Sequence, residues 1–132
     1  MKIKCVLVAC MVSILPCAAW GYDEERAANN FSHELVECAA YFNIGAEGAR
    51  RGGHKEAANV LDKSEEKAID IANKYSRDDV ILARYKMAYE AHLKKIDGNL
   101  SNMSLLIIEY KDICKEAIED PIGRLNYWKQ KK

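Results

Sequence analysis

Five cysteines and three histidines are the side chains through which this 132-residue chain could do demanding chemistry, and their spacing narrows what that chemistry is. A cysteine can be a nucleophile, a metal ligand or half of a disulfide, and a histidine can be an acid, a base or a ligand. The chain has no C-x-x-C-H haem attachment site, no H-E-x-x-H zinc pair and no Glu-x-x-His repeated on two segments. His33, His54 and His92 stand far apart and read as polar-face or loop residues rather than joint ligands. Met87 or Met103 with a histidine could ligate a non-covalent haem, but a methionine on a helical apolar stripe belongs first to a core. Gly52-Gly53 is not followed by Lys-Ser or Lys-Thr, so it is no phosphate loop, and no G-x-S-x-G elbow occurs. The neighbouring acids Glu65-Glu66 and Asp78-Asp79 diverge by about 100 degrees on a helix and cannot converge on one bond. The reading is a protein that is not an enzyme and uses no cofactor or metal.

The cysteines divide into two groups. Residues 1–21 carry Lys2 and Lys4, no acidic residue, an apolar run from Cys5 to Leu15, and then Pro16 with small residues at Ala18, Ala19 and Gly21. This is the layout of a signal peptide, expected to be cleaved after Gly21 or else after Ala19. The run is too short for a retained membrane anchor, which needs about 18 or more apolar residues. Leu7-Val8-Ala9-Cys10 has the form of a lipobox, but cleavage before Cys10 would leave only a short apolar stretch ahead of it, which weighs against lipidation there. The domain proper is then residues 22–132, periplasmic or secreted, with Cys38 and Cys114 as its two cysteines. An even pair in an oxidising compartment predicts a Cys38–Cys114 disulfide.

Charge excludes further partners. The chain balances 20 Lys and Arg against 20 Asp and Glu, and loss of Lys2 and Lys4 would leave it slightly acidic. Nucleic acid and an anionic membrane surface both call for a basic excess that is missing. With 49% hydrophobic and 30% charged residues, the chain has the composition of one globular domain.

The elements that must position these residues read as helices. Phe31, Leu35, Cys38, Ala39, Phe42, Ala46 and Ala49 recur at steps of three or four, predicting a first helix from Asp23 to about Arg51 that stops at Gly52-Gly53. A second helix is expected from Lys55 to Tyr75, burying Ala57, Val60, Leu61, Ser64, Ala68, Ile71, Ala72 and Tyr75. A third, from about Asp78 to Ile96 with a cap at Ser76, carries one stripe of Leu82, Tyr85, Tyr89 and Leu93 and another of Val80, Ala83, Met87 and Ala91. Ser101 or Asn102 could cap a fourth, carrying Leu106, Tyr110, Cys114, Ala117 and Ile118 until Asp120-Pro121. A short last helix from Pro121 to about Lys129 offers Ile122, Leu125 and Trp128 as a flap. Short connections force antiparallel neighbours, so the expected fold is all-α: an antiparallel up-down-up-down four-helix bundle with a short C-terminal helix.

Two features could serve recognition. Gly45 and Gly48 interrupt the first helix at about 1 kcal/mol each relative to Ala, which calls for close packing, either inside the chain or against a second copy in a homodimer. Arg124, Tyr127 and Trp128 with the terminal lysines place aromatic anchors beside basic groups, a pairing common at protein interfaces. The same Trp128 could instead staple the end of the bundle.

Glu37-Cys38-Ala39-Ala40-Tyr41-Phe42, taken with Asp120-Pro121-Ile122-Gly123-Arg124 and Tyr127-Trp128, resembles small, uncharacterised exported bacterial proteins of helical type. The resemblance implies a helical fold and a Gram-negative periplasm, and no activity. The functional expectation is a non-enzymatic exported protein that binds another envelope or foreign protein as partner or inhibitor. The alternative is a bundle holding a small apolar ligand or haem beside Tyr85, Met87 and Tyr89.

Overall fold

The computed structural model describes residues 18–131. The export segment expected over residues 1–21 lies outside the described residues, except that the first helix begins at Ala18. Five α-helices follow one another: α1 (Ala18–Arg51), α2 (Lys55–Ala72), α3 (Asp78–Lys95), α4 (Ser104–Glu119) and α5 (Pro121–Gln130). A 3-10 turn, Leu100–Asn102, precedes α4, and no strand occurs among the described residues.

Local chemistry sets the boundaries. At the end of α1 the His54 N–H donates to the Ala49 carbonyl at 2.8 Å and the Gly53 N–H to Arg50 at 3.1 Å. This is the paired closure of a Schellman motif, and it needs the left-handed backbone that Gly53 adopts at φ 79°. Arg50 and Arg51 occupy the last turn, where the dipole favours cations. Two expected caps are replaced. Arg77 rather than Ser76 flanks α3, its guanidinium bonded to Asp79, while Asn99 caps the 3-10 turn by accepting from the Ser101 N–H. Asp120 caps α5 by accepting from the Gly123 N–H at 3.0 Å, and a Cβ on Gly123 would collide with that carboxylate.

α1 is the common wall of the fold. Phe31, Leu35, Val36, Cys38, Ile44 and the small residues Ala39, Ala40 and Ala46 are all fully buried, so nearly every side of its middle is covered. Each large apolar side chain withdrawn from water contributes about 1.5 to 3 kcal/mol, and the alanines let neighbouring helices approach closely. Contacts along α1 give each neighbour its direction. Asn43 donates to Glu65 and Arg50 to Asp62 at 2.8 Å, so α2 descends beside α1. Arg84 reaches Asn29 and His92 reaches Glu37, so α3 runs with α1. Met103 packs on Gly45, Tyr110 stacks on Tyr41 and Cys114 joins Cys38, so α4 descends. α5 continues down the same flank, with Arg124 on Glu34 and Lys131 beside Arg26.

This arrangement brings the cysteines level. α1 has 34 residues and α4 only 16, and α4 covers the C-terminal half of α1 while α5 covers the N-terminal half. Cys38 and Cys114 form the disulfide with their Cα atoms 5.3 Å apart.

Several inward faces differ from expectation. Val60 is 63% exposed and Leu82 56% exposed, while Ser64 is half-buried and donates to the Val60 carbonyl. On α3 the buried line is Ile81, Ala88 and His92, with Tyr85, Tyr89 and Leu93 half-buried beside it. The helix is thus rotated from the expected face, and His92, read as a polar-face residue, lies in the interior.

Candidate functional site

Among the described residues, three places bring polar side chains together from more than one helix beside accessible space. The first is a groove of about 290 Å³ over the lower half of α1, walled by α4 and α5. Its floor holds Arg124 and Glu34, joined by two bonds of 2.7 Å, Nε to Oε1 and Nη2 to Oε2. Both side chains are about nine-tenths buried, at 11% and 10% exposure, and Glu116 adds a contact at 3.5 Å. The Glu34 bonds, outweighing the opposing effect of burial, hold the Arg124 guanidinium above its ordinary range. A buried ion pair gains little over an apolar pair but is costly to break, which makes it a device for fixing how α5 crosses α1.

Aromatic rings flank that pair. The Arg124 guanidinium lies 4.2 Å from the centroid of Tyr127, and Lys131 Nζ lies 4.6 Å from that of Trp128. Trp128 Nε1 is buried without a hydrogen-bond partner. Of the C-terminal residues singled out from sequence, Arg124 is turned inward, Trp128 is half-buried and Tyr127 is 42% exposed. The structure brings the three together. Glu34, which organises them, had no sequence signal beyond its place four residues before Cys38.

The second place is an open cleft of about 640 Å³ at the other end of α1, lined by Gly45, Gly48, Ala49, Gly52 and the segment from Gly98 to Met103. Gly45 is covered from within the chain, where a Cβ would meet Leu61 at 3.3 Å and Met103 at 3.5 Å. A Cβ on Gly48 would meet nothing within 4 Å. Only Gly45, therefore, has the close packing that its helical position calls for.

The third place is the tyrosine face of α3. Tyr85 donates its hydroxyl to Glu65 at 2.6 Å, and Asn43 donates to the same carboxylate, so one acid clasps α1, α2 and α3. Burial and that bond push the Tyr85 hydroxyl well above its ordinary pKa. Tyr89 stacks on Tyr85 with centroids 6.3 Å apart. Met87 is 70% exposed and sits about 200 degrees around the helix from Tyr85. Tyr85, Met87 and Tyr89 thus form no single ligand-facing surface. Among the described residues no group of three His, Cys, Asp or Glu is placed to hold a metal.

Apolar exposure completes the picture. Among the described residues nine large hydrophobic side chains are exposed, and six of them, Leu105, Ile107, Ile108, Ile113, Ile122 and Tyr127, lie on α4 and α5. Ile108 is 83% exposed and Ile122 71%. Sequence reading passed over Ile108, although its position two residues after the buried Leu106 turns it about 200 degrees away from the core. No helix of the described residues is long and apolar enough to cross a membrane.

No protein-family model matches the chain, and neither a curated protein nor a solved structure is significantly similar to it.

Proposed function

We propose that this is a non-enzymatic, periplasmic or secreted helical protein that binds another envelope or foreign protein as partner or inhibitor, and that α4 and α5 form its docking face. We further propose that its framework is an antiparallel up-down-up-down four-helix bundle in which α5 extends the fourth helix along α1. The observation that carries the functional reading is that, among the described residues, six of the nine exposed large apolar side chains lie on the last two helices. A contiguous exposed apolar patch is the usual mark of an interface, and on α4 Leu105 and Ile108, about 60 degrees apart around the helix, share the outer side. The disulfide and the Arg124–Glu34 pair support the reading, because they pin α4 and α5 to α1 and so hold the face in one shape before binding.

The test is a capture experiment from the source compartment with the native protein and with Ile108→Glu/Ile122→Glu. Both positions are exposed, so the variant should keep its thermal midpoint. A specific partner retained by the native protein and lost by this variant supports the docking face. Equal capture by both, or no specific partner, counts against it.

A further inference from the structure

We infer that α3 is fastened to α1 by an acid-releasable latch, in which neutral His92 closes the junction of α1, α3 and α4 and its protonation frees α3 while the disulfide keeps α4 in place. His92 is 3% exposed. Its Nε2 lies 3.0 Å from the Glu37 carbonyl, so the N–H donates into the backbone of α1, and its ring packs 4.5 Å from that of Tyr110 on α4. One imidazole therefore touches both α1 and α4.

The charged and titratable groups around it do not offset the loss of water. From α1 come Glu37, whose carboxylate is 36% exposed and shared with His33 at 3.6 Å, and Tyr41. From α3 comes Lys95, a like charge to the imidazolium, and from α4 come Tyr110 and Glu109, the latter paired with Lys95. Asp112 also lies on this side, near Tyr41. Burial dominates and pushes His92 below its ordinary value, opposed by the Glu37 carbonyl and carboxylate.

The rest of the α3 attachment is non-covalent, with Tyr85, Tyr89 and Leu93 half-buried against the core. Ile81 and Ala88 are its other buried residues, followed by Ile96 just past its end, with Arg84–Asn29 and Tyr85–Glu65 as polar ties. α4, by contrast, is joined covalently to α1. Once α3 opens, its imidazole titrates near the ordinary value of about 6.5. The closed form is therefore favoured in full above about pH 6.5 and loses that advantage as pH falls toward the lower closed-state pKa. Within that window the open fraction rises about tenfold per pH unit.

Amide hydrogen exchange, corrected for intrinsic rates, tests this at about pH 7.5 and about pH 5.5, conditions that bracket the free imidazole value. The expected result is an increase in α3 opening of up to about tenfold, with α1 and α2 unchanged. His92→Gln keeps a donor for Glu37 and cannot be protonated, so its α3 exchange should not respond to pH. An equal increase in every helix, or the same α3 response in His92→Gln, overturns the latch. Should His92→Gln fail to fold, an NMR titration of His92 in the native protein decides: a midpoint clearly below about 6.5 supports the latch, and one at or above it refutes it.

Discussion

α1 and α4 each carry one cysteine of the disulfide, yet they sit in the molecule in opposite ways. α1 buries side chains all around its middle, many of them alanines, whereas α4, with Leu105, Leu106, Ile107, Ile108, Ile113 and Ile118, buries only Leu106, Cys114 and Ala117. Burial is thus decided by where a helix stands and not by how apolar it is. α1 is surrounded, while α4 touches the fold along one stripe and leaves aliphatic surface on its outer side. A helix with so narrow a footing needs another attachment. The disulfide supplies it, closing a loop across a sequence separation of 76 residues.

That contrast orders the expected effects. Cys38→Ala with Cys114→Ala removes the constraint on the unfolded chain and should cost about 4 kcal/mol in denaturant unfolding, with α4 exchanging first. Leu35→Ala, in the surrounded helix, should cost about 3 kcal/mol, because its cavity cannot collapse on any side. A cost near zero would show that α1 is less enclosed than its burial indicates. Glu34→Gln leaves the Arg124 charge buried with a weaker partner and should cost about 3 kcal/mol, loosening α5 in particular. Tyr85→Phe removes one hydroxyl bond to Glu65 and should cost about 1 kcal/mol by thermal unfolding. Ile108→Ser, on the open side of α4, should change stability by less than about 0.5 kcal/mol.

The same contrast explains what could be read from the residues alone. Helix ends were legible where a backbone need was written in the residue type, as at Gly52-Gly53 and Asp120-Pro121. The disulfide was legible because two cysteines remained after the expected export segment. Helix rotation was harder. α3 has apolar residues on almost every side, so Leu82, Tyr85, Tyr89 and Leu93 formed as good a stripe as the buried line through Ile81, Ala88 and His92. Its orientation is selected by the Glu37 carbonyl and the Tyr110 ring, partners distant in sequence. Arg124 was legible as a special residue but not as a buried one, since Glu34 lies 90 positions away.

The claim that α4 and α5 form the docking face is tested most directly by site-specific photo-cross-linking in the native compartment. A photoreactive side chain would be placed in turn at the exposed positions Ile108, Ile122 and Tyr127 on α4 and α5, and at Val60 and Met87 on α2 and α3. The account predicts one dominant protein adduct from the first three positions and none from the last two. Adducts of equal yield from all five positions, or from Val60 and Met87 alone, would contradict it.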